Sequence, residues 1–267
     1  MATTMQSSSQ QVTESKHLWR IMAIGMLAVR FVQGWIYWGG GSRRFIYGPQ
    51  KINPAGHWMA YKFQTAMPGA ILGTSHLISF LLHHFVLLYA GVIIFSAVEL
   101  VSGLMLISGF LTRLAALLTL GLSFTLMLLF GWQGATCIDE WTMAAANFGM
   151  GITLFLVGGG AYSIDNWLLK TKPALGTKGW FRWLGGSEPL PLSDAAFKKL
   201  ALTLFWIAVI FIVVTYSYYR GSVITPFHGD PTGVKVHHVQ MRDLRIAPDG
   251  RVTVHMHVNA GAASVAA

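Results

Sequence analysis

The chain has 267 residues, of which 54% are hydrophobic and 11% charged, less than half the charged share of ordinary soluble domains, about 25%. With a mean hydropathy of +0.53, this excludes a soluble globular domain. Long apolar runs rather than alternation predict a helical membrane bundle instead of a barrel. The net charge of +9 lies mostly in loops beside apolar runs, which suits membrane orientation and headgroup contact rather than nucleic-acid binding.

Residues 1–17 open with a Ser/Gln/Thr-rich stretch and are expected to form a disordered cytoplasmic tail. This tail has neither the basic start nor the cleavage site of a signal peptide, so the first span acts as an uncleaved signal. That span is Leu18–Trp38 and contains Arg30. A loop from Gly39 to His84 follows, holding Arg43, Arg44, Lys51 and Lys62. Within it, Gly69–Leu82 is apolar but only 14 residues long, too short to span comfortably, and is read as a re-entrant or interfacial helix. Phe85–Phe110 and Leu111–Trp132 are the second and third spans, joined tightly at Ser108–Arg113 as an antiparallel hairpin. The loop Gln133–Thr142 carries Asp139 and Glu140 but no Lys or Arg.

The fourth span is Met143–Tyr162. The connection Ser163–Lys199 then carries Lys170, Lys172, Lys178, Arg182, Lys198 and Lys199, and leads to the fifth span, Leu200–Tyr219. Beyond it, Val234–Val239 and Arg251–Val258 read as strands, with a turn at Pro248-Asp249-Gly250. Two or three strands are not stable alone, so this unit must pack on the bundle or on a second chain.

The fold class is therefore an all-α polytopic membrane protein: a four-helix bundle (18–169), a basic loop with a fifth helix (170–219), and an extracytoplasmic β appendage (220–267). The excess of Lys and Arg puts the N-terminus, the hairpin turn with Arg113 and the basic loop in the cytoplasm of a plasma-membrane protein. The loop Gly39–His84 and the C-terminal tail then lie outside. Positive charge on the outer side calls for another reason, and an anionic ligand for Arg43, Arg44 and Lys62 is one; lipid headgroups are the other.

Arg30 and Glu99 lie inside lipid-like runs, where an ionisable side chain costs roughly 2.5–3.5 kcal/mol. They form either a buried structural pair or a proton or quinone site, and both roles are compatible. His83 and His84 fall at the mouth of the second span, where an interfacial pair and a quinone or proton-relay role are the two readings. Cys137 is the single cysteine; it is a thiol carrying a transient sulfur adduct or one packed or bonded to a partner. His237, His238, His255 and His257 can be written as a metal cluster, but no Cys or carboxylate stands in close register, and no metal is predicted. No flavin, haem or iron–sulfur fingerprint is present.

Arg30, Gly39-Gly40-Gly41, Arg43-Arg44, Lys62-Phe63, Glu99-Leu100, Gly103, Gly109, Thr112-Arg113, Trp132 and Cys137–Trp141, in this order, resemble the DoxD/DoxX membrane family, and its DoxD branch above all. The resemblance covers Leu18–Leu169 and, more loosely, the fifth helix. The tail from Arg220 resembles the opening of a DoxA partner and is too short for a whole such domain. The resemblance implies the membrane subunit of a thiosulfate:quinone oxidoreductase, with quinone as electron acceptor and tetrathionate as product. Beside it, the residues themselves offer Arg30, Glu99 and Cys137 as catalytic candidates, Arg43, Arg44 and Lys62 for the substrate, and His83, His84, Trp132 and Trp141 for the quinone. A DoxA-like subunit or a second protomer is expected on the β unit, with a terminal oxidase downstream. The alternatives are a non-catalytic anchoring subunit of a respiratory oxidase and an anion transporter.

Overall fold

The computed structural model describes residues 2–45, 63, 66–67, 70–130, 139–220 and 239–258. Among these, eight α-helices and one β-hairpin follow in chain order: α1 (Ala2–Phe45), α2 (Thr74–His83), α3 (Phe85–Ser108), α4 (Thr112–Leu129), α5 (Asp139–Val157), α6 (Ile164–Thr171), α7 (Gly179–Leu184), α8 (Asp194–Arg220), β1 (Val239–Ile246) and β2 (Val252–Val258). A 3-10 turn over Pro173–Thr177 joins α6 to α7. Four stretches are long and apolar enough to cross a membrane: His17–Phe45, Phe85–Ser108, Thr112–Leu129 and Asp194–Ser217. They overlie four of the five expected runs. The other run coincides with α5, whose apolar length is diluted by Glu140, Thr142 and Asn147. The short apolar segment after Pro68 forms the ten-residue α2, well under the ~20 residues a span needs.

Both ends of the first helix are corrected: residues 2–17, expected as a disordered tail, are helical and belong to α1. The sequence places a loop from Gly39, but α1 continues to Phe45, and Arg43 and Arg44 occupy its last turn. Gly39-Gly40-Gly41 is a packing surface, not a turn. A Cβ on Gly41 would stand 2.6 Å from the backbone N of Leu100, and one on Gly34 would stand 2.8 Å from that of Ile107. Small residues let α1 and α3 approach backbone to backbone, as in other membrane bundles.

The chain divides into two compact units: Met1–Tyr47 with Phe95–Leu122 and Asn147–Trp206, and Gly48–Ile94 with Ser123–Ala146 and Ile207–Ala267. In the first, Leu106, Ala115, Ala116 and Leu154 form a buried core, with Met26, Val29, Met105 and Phe155 against it. In the second, Ala66, Ile78, Leu88, Val92, Leu129 and Phe130 form another.

The first strand is also corrected. The expected strand Val234–Val239 meets the described residues only at Val239, since residues 221–238 lie outside them; the strand described from there, β1, runs on to Ile246, beyond the expected end. It pairs antiparallel with β2 through the Pro248-Asp249-Gly250 turn. From Arg242 to Arg245 β1 advances three residues while β2 advances two, from His255 to Thr253. The extra residue is a bulge, and Asp243 takes a φ of 55° there, a conformation Asp tolerates better than most residues. Charged Arg242, Asp243 and Arg245 hid this strand from a hydrophobic pattern.

Candidate functional site

The buried charged groups of the first unit form two clusters. In the first, the Arg44 guanidinium donates to the Glu99 carboxylate and, at 3.1 Å, to the Ser96 hydroxyl. All three residues are buried. Gly40 lies beside the carboxylate, where a Cβ would come within 3.3 Å of Glu99 Oε2. On α3, Ser96 and Glu99 are one turn apart and share a face, with Ser102 a turn further on. The expected partner of Glu99, Arg30, is elsewhere: Arg44 takes that role because α1 does not stop at Trp38.

Arg30 belongs to the second cluster. It donates to the carbonyl of Gly159 and to that of Tyr162 at 2.8 Å. Gly158-Gly159-Gly160 follows the end of α5, with φ of 85° at Gly158 and 63° at Gly160, a backbone path suited to glycine. Nearby, Arg113 in the first turn of α4 is almost fully buried. Its Nε donates to Phe155 O at 3.1 Å and its Nη1 to Arg182 O at 2.8 Å, with further bonds to the carbonyls of Gly185 and Glu188.

Asp165 is the acid of this cluster. It accepts from the backbone N–H of Leu111 at 2.9 Å and of Thr112 at 3.0 Å, and from the Thr112 hydroxyl at 3.0 Å. It thus caps the start of α4, where free N–H groups and the helix dipole favour a carboxylate. Burial pushes its carboxyl up from the ordinary 3.8, opposed by the Thr112 and Leu111 hydrogen bonds and the Arg113 charge.

Between the clusters, Gln33 donates to Asn147 O at 2.8 Å, and Tyr37 donates to Thr119 O at 3.0 Å. Arg30, Gln33, Tyr37 and Arg44 are all buried and recur at three-, four- and seven-residue steps, the spacing of one helix face. Gln33, Tyr37, Arg113 and Asp165 were not singled out as site residues by the sequence. A polar stripe at helical spacing was the available signal for the first two.

Arg43 is exposed, and its Nε donates to Gly39 O at 3.0 Å. Arg43 and Arg44 therefore differ: one guanidinium faces out and the other is neutralised by Glu99. Lys62, Trp132 and Cys137 lie outside the described residues. In the second unit, His83 and His84 are exposed. Their Nδ1 atoms lie 2.6 Å from Ser79 O and 2.8 Å from Phe80 O. A carbonyl only accepts, so each Nδ1 carries the proton and each Nε2 is left as the ring's other site. Trp141 is buried against Tyr216, ring centroids 5.7 Å apart. Its indole N–H has no acceptor among the described residues. No group of three or more His, Cys, Asp or Glu is placed to hold a metal among the described residues.

No curated protein and no solved structure matches this chain. A family model described as "TQO small subunit DoxD" matches residues 26–193, a stretch holding Arg30, Arg43, Arg44, Glu99, Arg113 and Asp165. That is more than half of the chain, which belongs to the DoxD family.

Proposed function

We propose that the chain is the membrane subunit of a thiosulfate:quinone oxidoreductase. The observation that carries this reading is the buried Arg44–Glu99 pair within the family-matched region. An ion pair inside apolar helices carries a desolvation cost that an anchor has no reason to bear.

The chemistry balances simply. Two thiosulfate dianions lose one electron each as a sulfur–sulfur bond forms between them, giving tetrathionate. One quinone takes the two electrons and two protons and becomes quinol. In this reading Arg43 and Lys62 are each candidates for binding a dianion, with the Arg fork suited to its oxygens. Glu99, paired with Arg44, is the proton-handling group within the membrane, and Arg30 fixes the helix end below it. Cys137 is the candidate for a transient sulfur adduct. His83, His84, Trp132 and Trp141 are the quinone candidates. Support comes from the free Nε2 positions of both histidines and from the Trp141 N–H, a buried donor suited to a quinone oxygen. The β-hairpin, two strands with open edges among the described residues, suits augmentation by a DoxA-like chain or a second protomer.

The test is thiosulfate-dependent reduction of a short-chain quinone by the purified complex. Arg43→Gln is expected to raise the thiosulfate requirement about tenfold with assembly intact, the loss of one charge-assisted contact. A complete complex that reduces no quinone with thiosulfate would return the chain to an anchoring subunit. Thiosulfate uptake into vesicles without quinone reduction would make it an anion transporter.

A further inference from the structure

We propose that residues 162–184, the strap connecting α5 to α8, form a binding surface for anionic phospholipid headgroups. This inference is independent of the oxidoreductase reading.

The strap sits at the ends of apolar helices. It begins just after α5 ends at Val157 and leads to α8, whose apolar stretch starts at Asp194. Arg113, in the first turn of α4, grips it through the carbonyl of Arg182 and, just past its end, through those of Gly185 and Glu188. Ser163 caps α6 by accepting from Asn166 N at 3.1 Å, and Asp165 N donates to Gly109 O at 3.0 Å. Phe181 is buried. The strap is therefore fixed against the turn between α3 and α4, at the ends of two helices long and apolar enough to cross a membrane.

Its outer side combines two kinds of residue. Tyr162, Ile164, Trp167, Trp180 and Trp183 are exposed, and so are Lys170, Lys172, Lys178 and Arg182. Asp165, the one acidic residue between 162 and 184, is buried and engaged in capping α4. Exposed indoles suit the membrane–water interface, where an apolar ring and a polar N–H are both accommodated. Uncompensated cations among them select anionic over zwitterionic lipid, each near the surface multiplying affinity about fivefold. Charge complementarity thus points to a lipid headgroup rather than to a protein face.

The test uses the full chain in phosphatidylcholine nanodiscs with a brominated lipid at equal mole fraction, either phosphatidylglycerol or phosphatidylcholine. Brominated phosphatidylglycerol is expected to quench tryptophan fluorescence more, with the excess falling as salt is raised. The excess should vanish in Lys170→Gln/Lys172→Gln/Lys178→Gln/Arg182→Gln and in Trp167→Phe/Trp180→Phe/Trp183→Phe. If the fourfold variant does not fold, each pair of cation changes separately should remove part of the excess. Equal quenching by the two lipids at low salt would overturn the proposal, as would an excess that survives both variants. Trp167, Trp180 and Trp183 untouched by either lipid would make the strap a protein contact instead.

Discussion

The Arg44 guanidinium donates to the carboxylate of Glu99, fourteen residues after α3 begins at Phe85 and nine before it ends at Ser108. At 1.5 Å per residue, that is about 21 Å from one end of the helix and about 14 Å from the other. The pair therefore sits well inside an apolar stretch of membrane length, and breaking it strands a charge there.

Removing one partner is expected to cost more than removing both. Glu99→Leu leaves Arg44 buried without its counter-charge and should lose about 3–5 kcal/mol of stability. The double variant Arg44→Met/Glu99→Leu should regain most of that loss, because an apolar pair of similar volume bears no desolvation penalty. Thermal unfolding in detergent reads both. If the single variant is as stable as the double, the two groups are not coupled.

The glycines of α1 and α3 give a second expectation. Gly41→Ala would force a methyl to 2.6 Å from the Leu100 backbone, and overpacking of this kind costs about 1–3 kcal/mol. A Cβ on Gly121, in α4, would meet nothing within 4 Å, so Gly121→Ala should be neutral or stabilising by up to about 1 kcal/mol. Melting curves of the two alanine variants would separate close packing from simple helix propensity.

Glu99 was legible in the sequence because an acid in a run of Val, Ile and Leu has no soluble explanation. Its partner was not legible. Gly39-Gly40-Gly41 reads as a helix stop, and only tertiary packing against Leu100 and Glu99 turns it into a contact surface. Arg113 looked like a topogenic cation in a turn, and Asp165 like one charge in a basic loop. Each is buried by residues more than forty positions away, which no local pattern contains. The hairpin turn was legible from Pro-Asp-Gly, whereas β1 was obscured by the charges around its bulge.

Asp165 supplies a pH dependence with a definite sign. Its carboxyl is raised above the ordinary 3.8 by burial, so the folded chain holds that proton more tightly than the unfolded chain does. Its contribution to stability is full below 3.8 and is lost as pH rises through the raised value. The unfolding midpoint of the wild type relative to Asp165→Asn should therefore fall over that interval. A difference that is flat or rises with pH would show that the hydrogen bonds from Leu111 and Thr112 outweigh burial.

Orientation can be settled by labelling. The Ser163–Lys199 connection carries six Lys and Arg residues, and Gln133–Thr142 carries none, so the former is expected in the cytoplasm and the C-terminal tail outside. In a Cys137→Ser background, a cysteine at exposed Thr177 and another at Ala267 would report the two sides. In intact cells Ala267→Cys should react with a membrane-impermeant maleimide, and Thr177→Cys should react only after permeabilisation. The reverse pattern would place Arg43, in the last turn of α1, on the cytoplasmic side. It would then carry the thiosulfate site inward with it, since a dianion does not cross the hydrocarbon to reach a cation on the far face.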